Sequence, residues 1–174
     1  MSVLLEAGVC RVRSWTAADA AAIVPLANER TVSAMLRDRF PWPYALADAE
    51  AFLAHALASR PETDLAIEAG GHVAGGIGFV PGTDIERVSA EVGYWLGAPF
   101  RGRGIATAAL LAATRHAFDA FGVERVFALP FADNRASCRV LEKAGYAREG
   151  LLRSAVVKEG RLHDVALYAR LRRD

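Results

Sequence analysis

The chain has 174 residues, of which 53% are hydrophobic and 24% charged, with a formal net charge of +1. That balance excludes an intrinsically disordered chain, and a charge this small, with the arginines scattered instead of aligned, excludes the electrostatic footprint of a nucleic-acid binder. The length suits one domain over residues 1–174, with a real core.

Cys10 and Cys138 lie far apart without CxxC or Cys/His spacing, so they indicate neither a metal site nor a disulfide framework and read as free thiols. "MSVLLEAGVCRVRSW" lacks a basic segment followed by an apolar one, and no apolar run is long enough to span a bilayer. A soluble, cytoplasmic protein with no membrane partner is expected.

Along the chain, "CRVRSW" (10–15) alternates as a short strand, and Thr16 with Asp19 resembles an N-cap with an acidic first turn. Residues 17–28 and 31–38 are helical by composition, Pro25 marks a break or kink, and "RFPWPY" (39–44) is a proline-aromatic loop. In "ALADAEAFLAHALASR", Phe52, Leu53, Ala56 and Leu57 form the stripe of an amphipathic helix. The period then switches to two. "DLAIEA" (64–69), a Gly70-Gly71 turn and "HVAGGIGFV" (72–80) predict a hairpin, and "SAEVGYWLG" (89–97) predicts the next strand. A helix over about 104–121, a strand "VERVFALP" (123–130) and a helix from Asn134 to Ala144 closed by Gly145 follow. The chain finishes as a hairpin turning near Glu159-Gly160. The pattern is a mixed α/β sheet built around a strand, glycine loop, helix, strand unit.

"FRGRGIATAALL" (100–111) sets two arginines and two glycines at the mouth of the central helix. A helix N-terminus presents unsatisfied N–H groups and partial positive charge, and glycines let the preceding backbone converge its amides on one anion. The phosphate-loop pattern G-x-x-x-x-G-K-[ST] fails for want of the Lys-Ser/Thr pair, and G-x-G-x-x-G fails because Thr107 holds its last position. The pattern that fits is R/Q-x-x-G-x-G/A, as Arg101-Gly102-Arg103-Gly104-Ile105-Ala106.

That loop resembles the pyrophosphate loop of the GNAT superfamily of acyl-CoA-dependent N-acyltransferases. "AEVGYWLGAPFRGRGIATAAL", "VERVFALPFADNRASCRVLEKAGYAREG" and "LLRSAVVKEGRLHDVALYAR", in that order, resemble the ribosomal-protein N-terminal acetyltransferases of the RimJ/RimL type, with "FPWPYALADAEAFL" a looser match. The resemblance implies a mostly antiparallel sheet of about seven strands flanked by about four helices, splayed between the fourth and fifth strands. It implies acetyl-CoA as co-substrate, no metal, and a primary amine as acceptor: a protein or peptide α-amine first, a small amine (amino sugar, polyamine or amino-acid-like toxin) second. A non-catalytic acyl-CoA-binding module is the rival from outside the enzymes, and either a monomer or a homodimer is compatible.

Residue by residue, the resemblance assigns the diphosphate to the amides of Arg103, Gly104, Ile105, Ala106 and Thr107 and to the charges of Arg101 and Arg103, with Gly102 shaping the turn. Tyr94, Trp95 and Leu96 pair with the pantetheine arm as a sheet edge would, and a bulge near Trp95 aims an amide at the thioester oxygen. Asn134 meets the same arm or caps its helix, the two roles being compatible. Only an unprotonated amine attacks the thioester. Freeing it at pH 7 costs roughly 1 kcal/mol for an α-amine (pKa ~7.7–8.0) and roughly 4–5 kcal/mol for lysine (pKa ~10.4). Glu91 matches the family glutamate that takes this proton through a water, and its alternative is a solvent-facing strand residue; burial would raise its pKa toward neutrality. The tyrosine that many relatives carry seven residues after the asparagine is Leu141 here, so Ser137, present in the RimJ/RimL type, stands as partner of the departing thiolate or as a plain first-turn serine. Tyr146 reads as core, and His163 with Asp164 as either a polar pair near the acceptor channel or an ordinary edge-strand hydrogen-bonding group. Trp42 and Tyr44 are candidate roofs of the acceptor site.

Overall fold

The computed structural model describes residues 2–174. In chain order its elements are β1 (Leu4–Glu6), β2 (Arg11–Ser14), α1 (Ala20–Ala27), α2 (Arg30–Ser33), α3 (Leu46–Ala58), β3 (Asp64–Ala69), β4 (His72–Pro81), β5 (Ser89–Leu96), α4 (Ile105–Phe121), β6 (Arg125–Ala128), α5 (Arg135–Lys143), β7 (Ala147–Lys158) and β8 (Arg161–Leu171). The strands lie in the order β1-β2-β3-β4-β5-β6-β8-β7. This is the mixed α/β sheet expected, with eight strands and five helices in place of about seven and about four. The added strand is β1, whose three residues are too few to show a period; its pairing with β2, Leu5 opposite Val12, creates it.

The predicted helix over 31–38 shrinks to α2. Beyond it the bonds tighten to a three-residue reach, Met35 N to Val32 O and Leu36 N to Ser33 O at 3.2 Å each, and the chain leaves the helix ahead of Pro41. Pro25 does not end α1, which runs on to Ala27. With β1 counted, the expected opening of the sheet falls between β5 and β6. These two parallel strands pair only at Ser89/Arg125, Ala90/Val126 and Glu91/Phe127.

Two compact units divide the chain. The first takes the residues up to Gly78 together with Tyr94–Ala113. Its core gathers Trp15, Ile23, Ala27, Tyr44, Ala49 and Leu53, with Phe40, Phe52 and Trp95 packed against them. At its polar flank, Arg13 makes a two-pronged bond to Asp19 (2.9 Å each) and one to Glu68 (2.7 Å), while Thr16 N donates to the same Asp19 carboxylate at 2.8 Å. Thr16 and Asp19 therefore form the helix-start device predicted from their spacing, on a 3-10 turn (Ala17–Asp19) leading into α1. Burial alone would raise the Asp19 pKa, but the bonds from Arg13 and Thr16 outweigh it and hold the carboxyl below its ordinary value.

The glycine pair in β4 has a steric cause. A methyl group on Gly75 would lie 2.0 Å from Trp95 O and 3.0 Å from Leu96 Cα, and one on Gly76 would lie 2.9 Å from Trp95 Nε1. The end of β5 thus runs directly over a strip without side chains, fastened by Gly97 N to Ala74 O at 2.9 Å. Because the obstruction is backbone, no rotamer relieves it. Gly75→Ala is expected to cost about 2–3 kcal/mol, measured as a fall in the urea midpoint; a midpoint within experimental error of the parent would refute the close approach.

The second unit takes Phe79–Gly93 and Thr114–Asp174. Val126, Ala128, Leu141, Ala144, Tyr146 and Tyr168 are each no more than 3% exposed and form its interior. Inside it the Thr114 and Tyr146 hydroxyls share a hydrogen bond of 2.7 Å, which satisfies the only polar atom of a tyrosine that was read as core. Among the described residues no helix is long and apolar enough to cross a membrane.

Candidate functional site

In the first unit the glycine loop leads into the 17 residues of α4. Gly102 and Gly104 have φ of +74° and +76°, and nothing lies within 4 Å of a methyl group on either. The requirement for glycine is therefore conformational: another residue would cost about 1–2 kcal/mol in the left-handed region. Ala108 N closes the first turn on Gly104 O at 3.0 Å, so the N–H groups of Ile105, Ala106 and Thr107 precede the first residue able to bond back along the helix. Ile105 is buried and anchors the turn, while Arg101, Gly102, Arg103 and Gly104 are exposed. Arg103 and Ile105 also line an open groove of about 360 Å³ with Val9, Gly70, His72 and Phe100. First-turn amides, positive φ at both glycines and two exposed arginines suit a diphosphate in charge and donor number.

Arg101 is engaged within the protein. Its Nε donates to Leu96 O and its Nη1 to Thr31 Oγ1, each at 3.2 Å. The guanidinium thereby ties the end of β5 to α2, a contact that no spacing in the sequence reveals.

Tyr94, Trp95 and Leu96 are half-buried at the end of β5. Phe40 meets the Trp95 ring edge-on at 5.6 Å and tilts against Tyr44 at 5.1 Å. Tyr44 N donates to Asn28 Oδ1 at 2.9 Å, which seats the proline-aromatic loop. Of the two aromatics expected to roof an acceptor, Tyr44 is instead core, 5% exposed, and burial followed by the charge of Asp48 pushes its phenol up to about 12. Trp42 is exposed, with the Arg30 guanidinium 4.7 Å above its ring. Phe40, not singled out by sequence, is the residue placed on Trp95. Its only advance signal was membership of the proline-flanked aromatic run.

In the second unit Glu91 is half-buried between the buried Ala90 and Val92, directly across from Phe127 at the last paired position of β5 and β6. Asn134 caps α5, its Oδ1 accepting from Ser137 N at 3.1 Å, so the capping role is present. Ser137 and Cys138 occupy the first turn, both half-buried. Leu141 is fully buried, and Tyr168, also buried, donates to Glu142 Oε1 at 2.9 Å. Burial first, then the bond to Glu142, raise the Tyr168 pKa, which binds this phenol to structure and makes it a poor proton donor.

His163 pairs with Val156 of β7, and lies beyond the stretch of β8 that pairs with β6. Its ring stacks on Phe131 at 5.0 Å and 18°, and Asp164 Oδ1 accepts from Ser154 N at 2.7 Å. Asp164 is thus engaged in holding Ser154, whose φ is +49°.

Comparison with known proteins places this geometry in a family. YdaF of Bacillus subtilis, provisionally named a ribosomal N-acetyltransferase, is 35% identical over 85 residues, 49% of this chain and 46% of its own. The ribosomal-protein-serine acetyltransferase of Escherichia coli is 34% identical over 97 residues, 55% of this chain and 54% of its own. The chain spans about half the length of the curated relatives it matches. The solved structure of Mycobacterium smegmatis RimJ in complex with CoA-disulfide superposes with a TM-score of 0.84 at 27% identity, covering 99% of this chain and 87% of that one. The family model described as an acetyltransferase (GNAT) domain matches residues 10–147, which is well over half of the chain, and the protein therefore belongs to the GNAT family of N-acetyltransferases.

Proposed function

We propose that this GNAT acetyltransferase uses acetyl-CoA to acetylate a primary amine, the α-amino terminus of a protein or peptide first among them, in the cytoplasm and as a single catalytic domain. The observation that carries the reading is the loop at the head of α4, where two left-handed glycines precede first-turn amides in a family member. Its support is chemical: a diphosphate needs several N–H donors and positive charge on one spot. The relatives named as ribosomal acetyltransferases, and the CoA compound bound to RimJ, support the acceptor class and the coenzyme.

In this reading Arg103 to Thr107 hold the diphosphate, and Tyr94, Trp95 and Leu96 offer main-chain partners to the pantetheine arm. When bound, the coenzyme supplies an activated acetyl thioester. Glu91 receives the amine proton through water, which an α-amine surrenders for roughly 3 kcal/mol less than lysine at neutral pH. Asn134 contacts the arm in addition to capping α5, and Ser137 hydrogen-bonds the leaving thiolate. In the same reading an amide near Trp95 faces the developing negative charge.

The test is release of coenzyme thiol from acetyl-CoA in the presence of a peptide with a free α-amine, an α-blocked peptide with a free lysine, a polyamine and an amino sugar. Release with the α-amine peptide above the others is expected. Release with only the polyamine or amino sugar moves the acceptor to small amines. Coenzyme binding by calorimetry without turnover on any amine makes the protein a binding module, and absence of coenzyme binding defeats the reading altogether.

A further inference from the structure

Arg101 belongs to the loop that would hold a diphosphate, yet both bonds its side chain makes run to neutral oxygens of the protein, Leu96 O and Thr31 Oγ1 at 3.2 Å each. Thr31 sits in α2, a four-residue helix. Its Oγ1 is in turn within 3.4 Å of Glu29 Oε2, so the hydroxyl is oriented by one neighbour while it accepts from another. The preceding residue on α2, Arg30, lies over Trp42 of the proline-aromatic loop. One short helix is therefore held from the coenzyme loop on one side and holds an exposed aromatic on the other.

We propose that Thr31 is a positioning residue that parks Arg101 away from the coenzyme, and that diphosphate binding takes Arg101 from Thr31 and so releases α2. The inference rests on the acetyltransferase reading for the identity of the anion. Its physical basis is an exchange: a guanidinium bonded to a neutral hydroxyl gives up that bond for one to a charged phosphate oxygen, which is shorter and about twice as strong. The parked bond is exposed, so it is lost at small cost. The consequence is a coenzyme affinity set below its ceiling by the cost of breaking the Thr31 contact, and an α2 whose restraint ends when coenzyme arrives.

Thr31→Val keeps the branched shape and removes the acceptor. Calorimetry with coenzyme A should show binding about threefold tighter than the parent, the size expected for deleting one exposed competing hydrogen bond. The KM for the amine at saturating acetyl-CoA should be unchanged, because the parent has already released α2 under those conditions. In an Arg101→Gln background, where coenzyme binds more weakly, Thr31→Val should change the affinity no further. A Thr31→Val chain that binds coenzyme A as the parent does, or more weakly, overturns the proposal, as does a tightening that persists in Arg101→Gln. A raised amine KM would assign Thr31 an ordinary structural role in α2 and equally overturn it. A parent chain that gives no heat with coenzyme A removes the acetyltransferase reading together with this one, whereas parent binding with an unresponsive Thr31→Val removes this one alone.

Discussion

Glu91→Gln is expected to lower kcat by about 10²-fold or more, the range over which a positioned general base acts, while leaving the affinity for coenzyme A unchanged. The substitution conserves volume and the backbone pairing opposite Phe127, so folding is not at issue. It removes the negative charge and with it the capacity to accept a proton. The affinity is insulated because the residues proposed to hold the diphosphate, Arg103 to Thr107, lie on a different segment. Thiol-release assays, paired with calorimetry, decide the matter. An unaltered rate takes Glu91 out of the mechanism, and a parallel loss of coenzyme binding reassigns it to the binding site.

The second large effect is on stability. Asp19→Ala is expected to cost about 2–3 kcal/mol at pH 7, because it leaves the half-buried Arg13 with Glu68 as its remaining ion-pair partner and strips the helix start of its acceptor. Arg13 is 20% exposed in its side chain and Asp19 10%, so the estimate sits below that for a fully buried pair. The effect carries a pH signature. Both Asp19 and Glu68 have folded pKa values below their unfolded ones, so their stabilisation is fully present above the ordinary carboxylate range and is lost as pH falls through the folded values. The gap in unfolding free energy between parent and Asp19→Ala should therefore be widest at neutral pH and narrow below about pH 4. Urea titrations at pH 7 and pH 3 measure it, and an equal gap at both would show that the ion pair is not its source.

Much of the architecture was legible because it is local. The 64–69 strand, the Gly70-Gly71 turn, the start of α4 at Ile105 and the cap at Asn134 follow from period, turn chemistry and capping within a few residues, and they appear where expected. The Thr16 to Asp19 spacing likewise announced its own hydrogen bonds. β1 was not legible, since a three-residue strand exists only through its partner. Neither was the early end of α2, where composition favours a helix but the bonds tighten to a three-residue reach past Ser33.

The candidate site divides in the same way. The glycine loop was picked out by type and spacing, because a helix N-terminus advertises its anion-binding capacity along the chain, whereas Glu91, Asn134 and Ser137 were assigned by the resemblance to the family. The partners of those residues were hidden. Nothing near Arg101 in sequence points to Thr31, seventy positions away; Gly75-Gly76 gave no notice of the close approach of Trp95 and Leu96; and His163 gave none that it would stack on Phe131. The sequence by itself determined the order of elements and the glycine loop, since each depends on residues within a turn or two of one another, and its ordered motifs carried the resemblance to the family. Only the tertiary structure decided which of Phe40, Trp42 and Tyr44 meets Trp95, where Arg101 rests and how far β5 and β6 stay paired, because those outcomes are set by contacts between segments distant along the chain.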